Sequence, residues 1–390
     1  MRAASPPARC AARRAPRSSK SAASSSTRWW RKWPTRSRGW AAPSPSSARR
    51  TRWWCRPKRC SCVFLRGSWY VAARAAEVTR QPLARLLLNE PVVLYRCEDG
   101  AAVALEDRCC HRHLPLSMGR LEGDQLRCGY HGLRFAPDGR CTEIPGQASV
   151  PPQARVRAYP LIERYQWLWI WMGAPERADA ALIPNWWWAD HREWAYTQPE
   201  QIYVKCNYQL IADNVLDVTH LAYVHSSSIG ASSITEFPAT VEREERLVRL
   251  TRWIRDRAPP PLYKRAGGFP DNVDRWQIVE HVPPCYSVNF AGCQDATRRI
   301  DLMALSAPTP ETERSTHYFY GFVRNFGLAD AAMEAIFAGD MVRVFHEDIP
   351  VLEAQQRMRE LKPDAPSVDL KVDAAPLAAR RMLQAMLERD

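Results

Sequence analysis

The stretch CCHRHLPLSMGRLEGDQLRCGYHGLRF (Cys109–Phe135) concentrates potential metal ligands, with three cysteines and three histidines within 23 residues. Two short motifs stand out, Cys109-x-His111 and Cys128-x2-His131, with sixteen residues between them. Glycines and a proline flank the motifs, which predicts that each lies on a tight loop. Two such loops facing each other would offer two thiolates and two imidazoles to a metal.

Zinc and iron–sulfur chemistry both accommodate two cysteines and two histidines. In zinc fingers the two histidines usually follow the cysteines as a pair, whereas here each loop contributes one residue of each type. This arrangement favours a Rieske [2Fe–2S] cluster, in which the cysteines bind one iron and the histidines bind the other. Cys110 and His113 lie together on a single loop, so we interpret them as residues that do not bind the metal.

The net charge of +13 is confined to the N-terminal segment. Residues 1–62 contain 17 Lys and Arg and no Asp or Glu, which leaves 38 basic and 42 acidic residues for the remainder of the chain. The main part of the protein is therefore mildly acidic, and its charge gives no support to nucleic-acid binding.

Three interpretations of the segment 1–62 compete. An organellar transit peptide is Arg- and Ser-rich and poor in acidic residues, as this segment is, and a basic arm for nucleic acid has a similar charge. Its paired tryptophans and scattered cysteines suit neither, and they favour a misassigned translation start. We expect a disordered basic tail.

The chain as a whole lacks an apolar run long enough to span a membrane. The cysteines after residue 62 do not have the spacing of a disulfide framework, which indicates a reducing, cytoplasmic environment.

Beyond the tail the pattern predicts two domains. From about 63 to 173 the chain reads as short strands, including a hairpin around Asp99-Gly100 and the aromatic strand YQWLWIWMG. Further on, a helix is predicted at about 206–225, strands at about 238–323 and a closing helix at about 329–361. This order predicts an all-β domain followed by an α+β domain.

A second group of potential ligands lies in CNYQLIADNVLDVTHLAYVHSSSIG (206–230). On an ideal helix Asp217 and His220 share a face, but His220 and His225 would diverge by about 140°. Both histidines can reach one metal only if the helix ends or distorts between them. The alternative is that these are structural histidines without a metal.

The predicted closing helix places Asp348 on its apolar stripe, where a carboxylate must be paired or bound to a cation. Pro350 removes one hydrogen bond of this helix, which predicts a kink nearby. Glu347 lies about 100° off the stripe and is the weaker candidate for a ligand. A solvated pair of carboxylates is the alternative for both residues.

Together these motifs resemble those of the Rieske non-heme iron aromatic ring-hydroxylating oxygenases. The family's Rieske pattern is Cys-Pro-His-Arg-Gly, Pro-Leu-Ser-x-Gly, Gly-Asp and Cys-Pro-Tyr-His-Gly. The corresponding residues are Cys109-Cys110-His111-Arg112-His113, Pro115-Leu116-Ser117-Met118-Gly119, Gly123-Asp124 and Cys128-Gly129-Tyr130-His131-Gly132. Cys110 and Gly129 replace prolines of the pattern, and His113 replaces a glycine.

The resemblance implies an α+β protein with an N-terminal all-β Rieske domain (63–175) and a helix-grip, START-like α+β catalytic domain (176–390). The implied cofactors are a [2Fe–2S] cluster and a mononuclear Fe(II). Their implied ligands are, for the cluster, Cys109, His111, Cys128 and His131, and, for the mononuclear iron, His220, His225 and Asp348.

In this family an aspartate at the position of Asp217 bridges a Rieske histidine of one subunit to an iron histidine of the next. The resemblance therefore implies a homotrimer in which Asp217 links His131 to His220, with Asn214 on the iron side. Asn289 matches a substrate-binding asparagine of dicamba monooxygenase, which makes it a candidate substrate contact.

Over 63–390 the chain resembles above all the oxygenase subunit of vanillate O-demethylase, with dicamba monooxygenase nearby. The implied reaction is an O2-dependent monooxygenation that O-demethylates an aromatic acid such as vanillate to a phenol and formaldehyde. NADH electrons would arrive through a separate flavin and iron–sulfur reductase. The alternatives are another aromatic substrate or a Rieske electron carrier, which would need only the first domain.

Overall fold

The computed structural model describes residues 64–390 except positions 227 and 231, and it leaves out the side chains at 198, 232, 233 and 340. The expectation of a disordered tail at 1–62 lies outside the described residues.

From residue 64 onward, the N-terminal domain shows ten short strands in three antiparallel sheets. The strands are β1 (Trp69–Arg74), β2 (Leu83–Leu87), β3 (Glu90–Arg96), β4 (Ala102–Glu106), β5 (Arg120–Glu122), β6 (Gln125–Arg127), β7 (Arg134–Phe135), β8 (Cys141–Glu143), β9 (Leu161–Arg164) and β10 (Trp167–Trp171). The predicted hairpin is present as β3 and β4, and Gly100 in its turn has a φ of 85°. The sheets have the strand orders β1-β10-β9, β2-β3-β4 and β5-β6-β7-β8.

Aromatic residues form a core that both domains share. All five residues of β10 are buried, and Trp169 packs against Tyr286 of the C-terminal domain with ring centroids 5.5 Å apart. The hydroxyl of Thr309 donates to the carbonyl of Val71 at 2.8 Å, and the amide of Leu88 donates to the carbonyl of Pro310 at 2.9 Å. The two domains therefore meet through apolar packing and direct hydrogen bonds.

A seven-stranded antiparallel sheet forms the centre of the C-terminal domain. Its strands are β11 (Ala195–Val204), β12 (Thr240–Arg243), β13 (Val248–Arg257), β14 (Val273–Val282), β15 (Tyr286–Gln294), β16 (Arg299–Thr312) and β17 (Ser315–Arg324). Their order across the sheet is β11-β17-β16-β15-β14-β13-β12, so β11 crosses over to pair with β17.

In the described part of the chain, four α-helices accompany the sheet: α1 (Tyr208–Leu216), α2 (Pro261–Gly267), α3 (Ala331–Leu361) and α4 (Ala374–Leu387). The apolar stripe of α3, which includes Phe337 and Met341, packs against Tyr318 and Tyr320 of β17. The helix is continuous through Pro350. The α+β class predicted from the sequence is confirmed, with an all-β domain preceding it.

The prediction of a helix at 206–225 was wrong for the second half of that range. The helix α1 ends at Leu216, and a short 3-10 helix (His220–Ala222) follows after a turn. Over residues 64–390, apart from the positions left out, we find no helix long and apolar enough to cross a membrane.

Candidate active site

The two cysteine–histidine loops have the same backbone geometry. In each loop the cysteine amide donates to a carbonyl five residues later: Cys109 to Leu114 at 2.9 Å and Cys128 to Leu133 at 2.8 Å. Each cysteine carbonyl then accepts from the residue four positions on, which is His113 or Gly132. The loops are thus two copies of one turn, and each presents a cysteine and a histidine.

The candidate cysteine ligands are buried, whereas the candidate histidine ligands are exposed. Cys109 and Cys128 are each only 2% exposed, whereas His111 and His131 are exposed and their ring centroids lie 4.6 Å apart. Burial raises the pKa of the Cys109 thiol to about 11, so the thiolate needs a cationic centre beside it. A cluster bound through buried thiolates and surface imidazoles fits these residues.

His113 occupies a backbone conformation that favours glycine. Its φ is 61°, and Gly132 at the matching position of the second loop has a φ of 73°. A side chain is strained in the left-handed region. This strain explains why the Rieske pattern of the related oxygenases has glycine where this chain has His113. The matching of the loops also gives Cys110 the place of Gly129.

We expect the substitution His113→Gly to stabilise the protein by about 1 kcal/mol, because it relieves the left-handed strain. Thermal unfolding, followed by the visible absorption of the cluster, measures this change. Gly132→Ala is the opposite control and should destabilise, since its new Cβ would lie 3.0 Å from Pro145 at a φ of 73°. An unchanged or lower melting temperature for His113→Gly would contradict the assignment of strain.

Two histidines and an aspartate meet at the second candidate metal centre. One potential ligand atom from each of His220, His225 and Asp348 lies within 4.8 Å of the other two. The Oδ1 atom of Asp348 is 3.2 Å from Nε2 of His225 and 3.6 Å from Nε2 of His220. Two imidazoles and one carboxylate on one side of a metal form the facial triad of non-heme Fe(II) oxygenases.

The end of α1 brings the two histidines together. Asp217 caps this helix, since its amide donates to the carbonyls of Asp213 and Asn214, and its Oδ1 accepts from the amide of Thr219 at 2.9 Å. The chain then turns before His220. The α-helix therefore already ends before His220, and the short 3-10 helix ends at Ala222, between the two histidines, as the sequence predicts.

A glycine closes the turn after His225. The amide of Gly230 donates to the carbonyl of His225 at 2.9 Å, and a Cβ at Gly230 would lie 2.0 Å from the carbonyl of Leu221. Only glycine permits this close approach of two backbones.

The Nδ1 atom of each histidine is held by the protein, which leaves both Nε2 atoms facing Asp348. The Nδ1 atom of His220 hydrogen-bonds to the backbone carbonyl of Asp217. That of His225 lies 2.7 Å from the carboxylate of Glu347, which also accepts from the hydroxyl of Ser228 at 3.2 Å. Such partners fix the orientation and tautomer of a metal-binding histidine.

Electrostatics distinguishes the two imidazoles. Burial lowers the pKa of His220, and Asp348 offsets only part of that effect. For His225 burial also favours the neutral ring, but hydrogen bonds to Asp348 and Glu347 outweigh it and raise the pKa. Asn214 completes the group, because its Nδ2 donates to Asp348 Oδ1 at 3.1 Å and lies 3.4 Å from His220 Nε2.

We expect Glu347→Gln to weaken retention of the mononuclear iron by about 10- to 100-fold, because the charged partner that orients His225 is lost. Titration with a chelator, with separate measurement of cluster absorption and total iron, tests this. Glu360→Gln, on an exposed part of the same helix, is the matched control. If the two variants retained iron equally well, Glu347 would have no role in iron binding.

A cavity of about 110 Å³ opens beside the three candidate iron ligands. Its apolar walls include Val344 and Phe345 of α3, together with Ala291 and Leu302 of the sheet. The triad thus faces a small, largely apolar space instead of bulk water.

One face of the sheet contributes polar side chains to the same cavity. Asn289, predicted as a substrate contact, lies there with a buried amide oxygen that has no hydrogen-bond partner among the described residues. Gln277, which the sequence analysis missed, has the same property. Ser306 lines the cavity as well, but its hydroxyl donates to that of Tyr318 at 3.1 Å. Arg275 supplies a buried guanidinium to this wall.

Comparison with known families agrees with this two-site geometry. A model described as the Rieske [2Fe–2S] domain matches residues 68–160, and one described as the vanillate O-demethylase oxygenase C-terminal domain matches residues 204–389. The two matches cover the cysteine–histidine loops and the triad respectively.

Individual relatives cover most of the chain. The iron–sulfur subunit TsaM1 of the toluene-4-sulfonate monooxygenase system of Comamonas testosteroni is 40% identical over 343 residues, covering 84% of this chain and 98% of the relative. The vanillate O-demethylase oxygenase subunit of Pseudomonas sp. strain HR199 is 35% identical over 339 residues, covering 83% and 95%.

A solved structure of dicamba monooxygenase bound to 3,6-dichlorosalicylic acid superposes with a TM-score of 0.77 at 32% identity, covering 84% of this chain and 98% of that one. This protein belongs to the Rieske non-heme iron oxygenases, as an oxygenase subunit of the aromatic O-demethylase and monooxygenase type with a [2Fe–2S] cluster and a mononuclear iron.

Proposed function

We propose that the protein O-demethylates a methoxybenzoate such as vanillate. In the net reaction the methoxy compound, O2, NADH and a proton give a phenol, formaldehyde, water and NAD⁺. The observation that carries the proposal is the triad of His220, His225 and Asp348 opening into a small apolar cavity. A cavity of this order suits one small aromatic ring.

The geometry described above supports the proposed ligands. They are Cys109, His111, Cys128 and His131 for the cluster, and His220, His225 and Asp348 for the iron. When bound, the cluster carries single electrons and the iron(II) activates O2.

The chain itself supplies position and environment for this chemistry. Asn214 holds the Asp348 carboxylate, Glu347 holds His225, and the apolar wall excludes water from the reacting carbon. Asn289 is the proposed contact to a polar substituent of the substrate.

Two further expectations complete the proposal. The electron donor is a flavin and iron–sulfur reductase, and the oxygenase works in the cytoplasm as a homotrimer in which Asp217 links His131 of one subunit to His220 of the next. The exposure of His111 and His131 supports this arrangement, because a partner can approach the imidazole side of the cluster.

A second candidate is hydroxylation of the methyl group of an arylsulfonate. It is favoured by two relatives from a toluene-4-sulfonate monooxygenase system, at 40% and 41% identity. Both candidates oxidise a methyl carbon of an aromatic acid, bonded through oxygen in the methoxybenzoate and directly to the ring in the arylsulfonate, and both need the same two metal centres.

Release of formaldehyde separates the candidates. The purified oxygenase, NADH and a partner reductase are incubated with methoxybenzoates and, separately, with toluene-4-sulfonate. We expect stoichiometric formaldehyde from the methoxybenzoate and about three irons per chain, two in the cluster and one mononuclear. A sulfobenzyl alcohol formed without formaldehyde would support the second candidate, and zinc without visible absorption would contradict both.

A further inference from the structure

A buried arginine lies beneath the turn that joins α1 to His220. Arg252 of β13 is only 5% exposed, and the inward-facing residues on either side of it, Leu250 and Ile254, belong to an apolar cluster. A guanidinium that leaves water in this way is costly to the fold unless its donors are used. The contacts of Arg252 therefore show what the buried cation stabilises.

Two donors of Arg252 reach the turn. Its Nη1 donates to the backbone carbonyl of Val218 at 3.2 Å, and its Nη2 donates to the hydroxyl of Thr219 at 3.0 Å. A guanidinium presents its donors in a rigid, planar arrangement, so these two bonds fix consecutive residues of the turn against the sheet. A lysine has a single ammonium group on a flexible stem, which suits such a pair of acceptors less well.

The same turn orients a charged group and a candidate iron ligand. The amide of Thr219 donates to Oδ1 of Asp217 at 2.9 Å, and the backbone carbonyl of Asp217 hydrogen-bonds to Nδ1 of His220. Thr219 is thus held by Asp217 at its amide and by Arg252 at its hydroxyl. Burial lowers the pKa of Arg252, and the negative charge of Asp217 offsets part of that effect. A change at Arg252 therefore reaches both Asp217 and His220.

We propose that Arg252 is a positioning residue, which holds the turn at 217–219 so that His220 faces the iron and the Asp217 carboxylate faces the next subunit. The first effect depends only on the hydrogen bond between Asp217 and His220. The second effect rests on the proposed function, because the bridge through Asp217 belongs to the proposed homotrimer. The two effects have separate measurements, so that one can fail without the other.

Arg252→Met removes both donors and keeps most of the length of the side chain. Titration of the holoenzyme with a chelator should show about 10-fold weaker retention of the mononuclear iron, because His220 loses part of its support. After the pre-reduced cluster is mixed with O2 and vanillate, its oxidation should be about 10-fold slower. Arg252→Lys should recover part of each loss.

Thr219→Val tests the contact from its other side, since valine has the shape of threonine without the hydroxyl. This variant should weaken iron retention by about threefold, and adding it to Arg252→Met should change retention by less than about twofold. Effects that multiply in the double variant would contradict the contact. Wild-type iron retention in Thr219→Val overturns the inference even if Arg252→Met does not fold.

Arg324→Met is the matched control. Arg324 of β17 is 1% exposed and donates, like Arg252, to a threonine hydroxyl and a backbone carbonyl, those of Thr197 at 3.1 Å and Gly327 at 3.2 Å. Its loss should lower the melting temperature while iron retention and cluster oxidation stay at wild-type values.

The melting temperature distinguishes positioning from general support of the fold. If Arg252→Met lowers it but keeps wild-type iron retention and cluster oxidation, as Arg324→Met should, the inference is overturned. Weak iron retention in Arg252→Met together with normal cluster oxidation in Asp217→Asn supports the positioning of His220 and refutes the bridge of the proposed function.

Discussion

Asp348→Ala is expected to remove the mononuclear iron and to abolish turnover. The carboxylate of Asp348 lies within 3.6 Å of both histidine Nε2 atoms, and without it two neutral imidazoles remain to hold a divalent ion. Total iron should fall from about three to about two per chain, because the cluster loops belong to the other domain. Metal analysis and the visible spectrum together distinguish the two centres.

A control variant and a conservative variant accompany Asp348→Ala. Asp364→Ala removes an exposed aspartate just beyond the same helix and should leave iron and turnover unchanged. Asp348→Glu keeps a carboxylate and should retain part of the iron, although the longer side chain shifts it away from Asn214. Full iron content and turnover in Asp348→Ala would exclude Asp348 as a ligand, and Glu347 would then be the candidate carboxylate ligand.

Asp217→Asn is expected to leave both metal centres filled and to lower turnover by about 100-fold or more. The substitution is conservative within the subunit, because an asparagine Oδ1 can still accept from Thr219 and the backbone carbonyl that contacts His220 is unchanged. In the proposed homotrimer it would remove the negative charge that faces a cluster histidine of the next subunit. Single-turnover measurements with the pre-reduced cluster should show slowed electron delivery.

Asp213→Asn is the matched control on the same helix. The Asp213 carboxylate forms an ion pair with Arg380 of α4, so its loss should lower the melting temperature without changing turnover per active site. Wild-type turnover in Asp217→Asn would disprove the bridging role.

The candidate ligands could be predicted from the sequence because the motifs that contain them are local. Cys109 and His111 are separated by one residue, and the backbone of their loop is repeated around Cys128. His220 and His225 could be paired because their spacing required a helix to end, although the end lies before His220, at the cap formed by Asp217.

The contacts that could not be predicted from the sequence depend on long-range packing. Glu347 is predicted only as a weaker candidate ligand, and its contact with His225 Nδ1 arises because the turn after His220 brings that atom to its carboxylate, 122 residues away in sequence. Gln277 on a strand has no local signal at all. Its importance arises from the registers of three adjacent strands and from α3, which together enclose a cavity and leave its amide oxygen without a donor.

The aromatic core shared by the two domains has a consequence for protein engineering. Trp69, Trp169 and Trp171 of the N-terminal domain are almost completely buried, in one apolar cluster with Tyr286 and Phe319 of the sheet. Excising either half would expose this cluster to water and invite aggregation. Chimeras that exchange one domain with a relative must therefore transplant both faces of the junction, and the electron-carrying half is not a portable module.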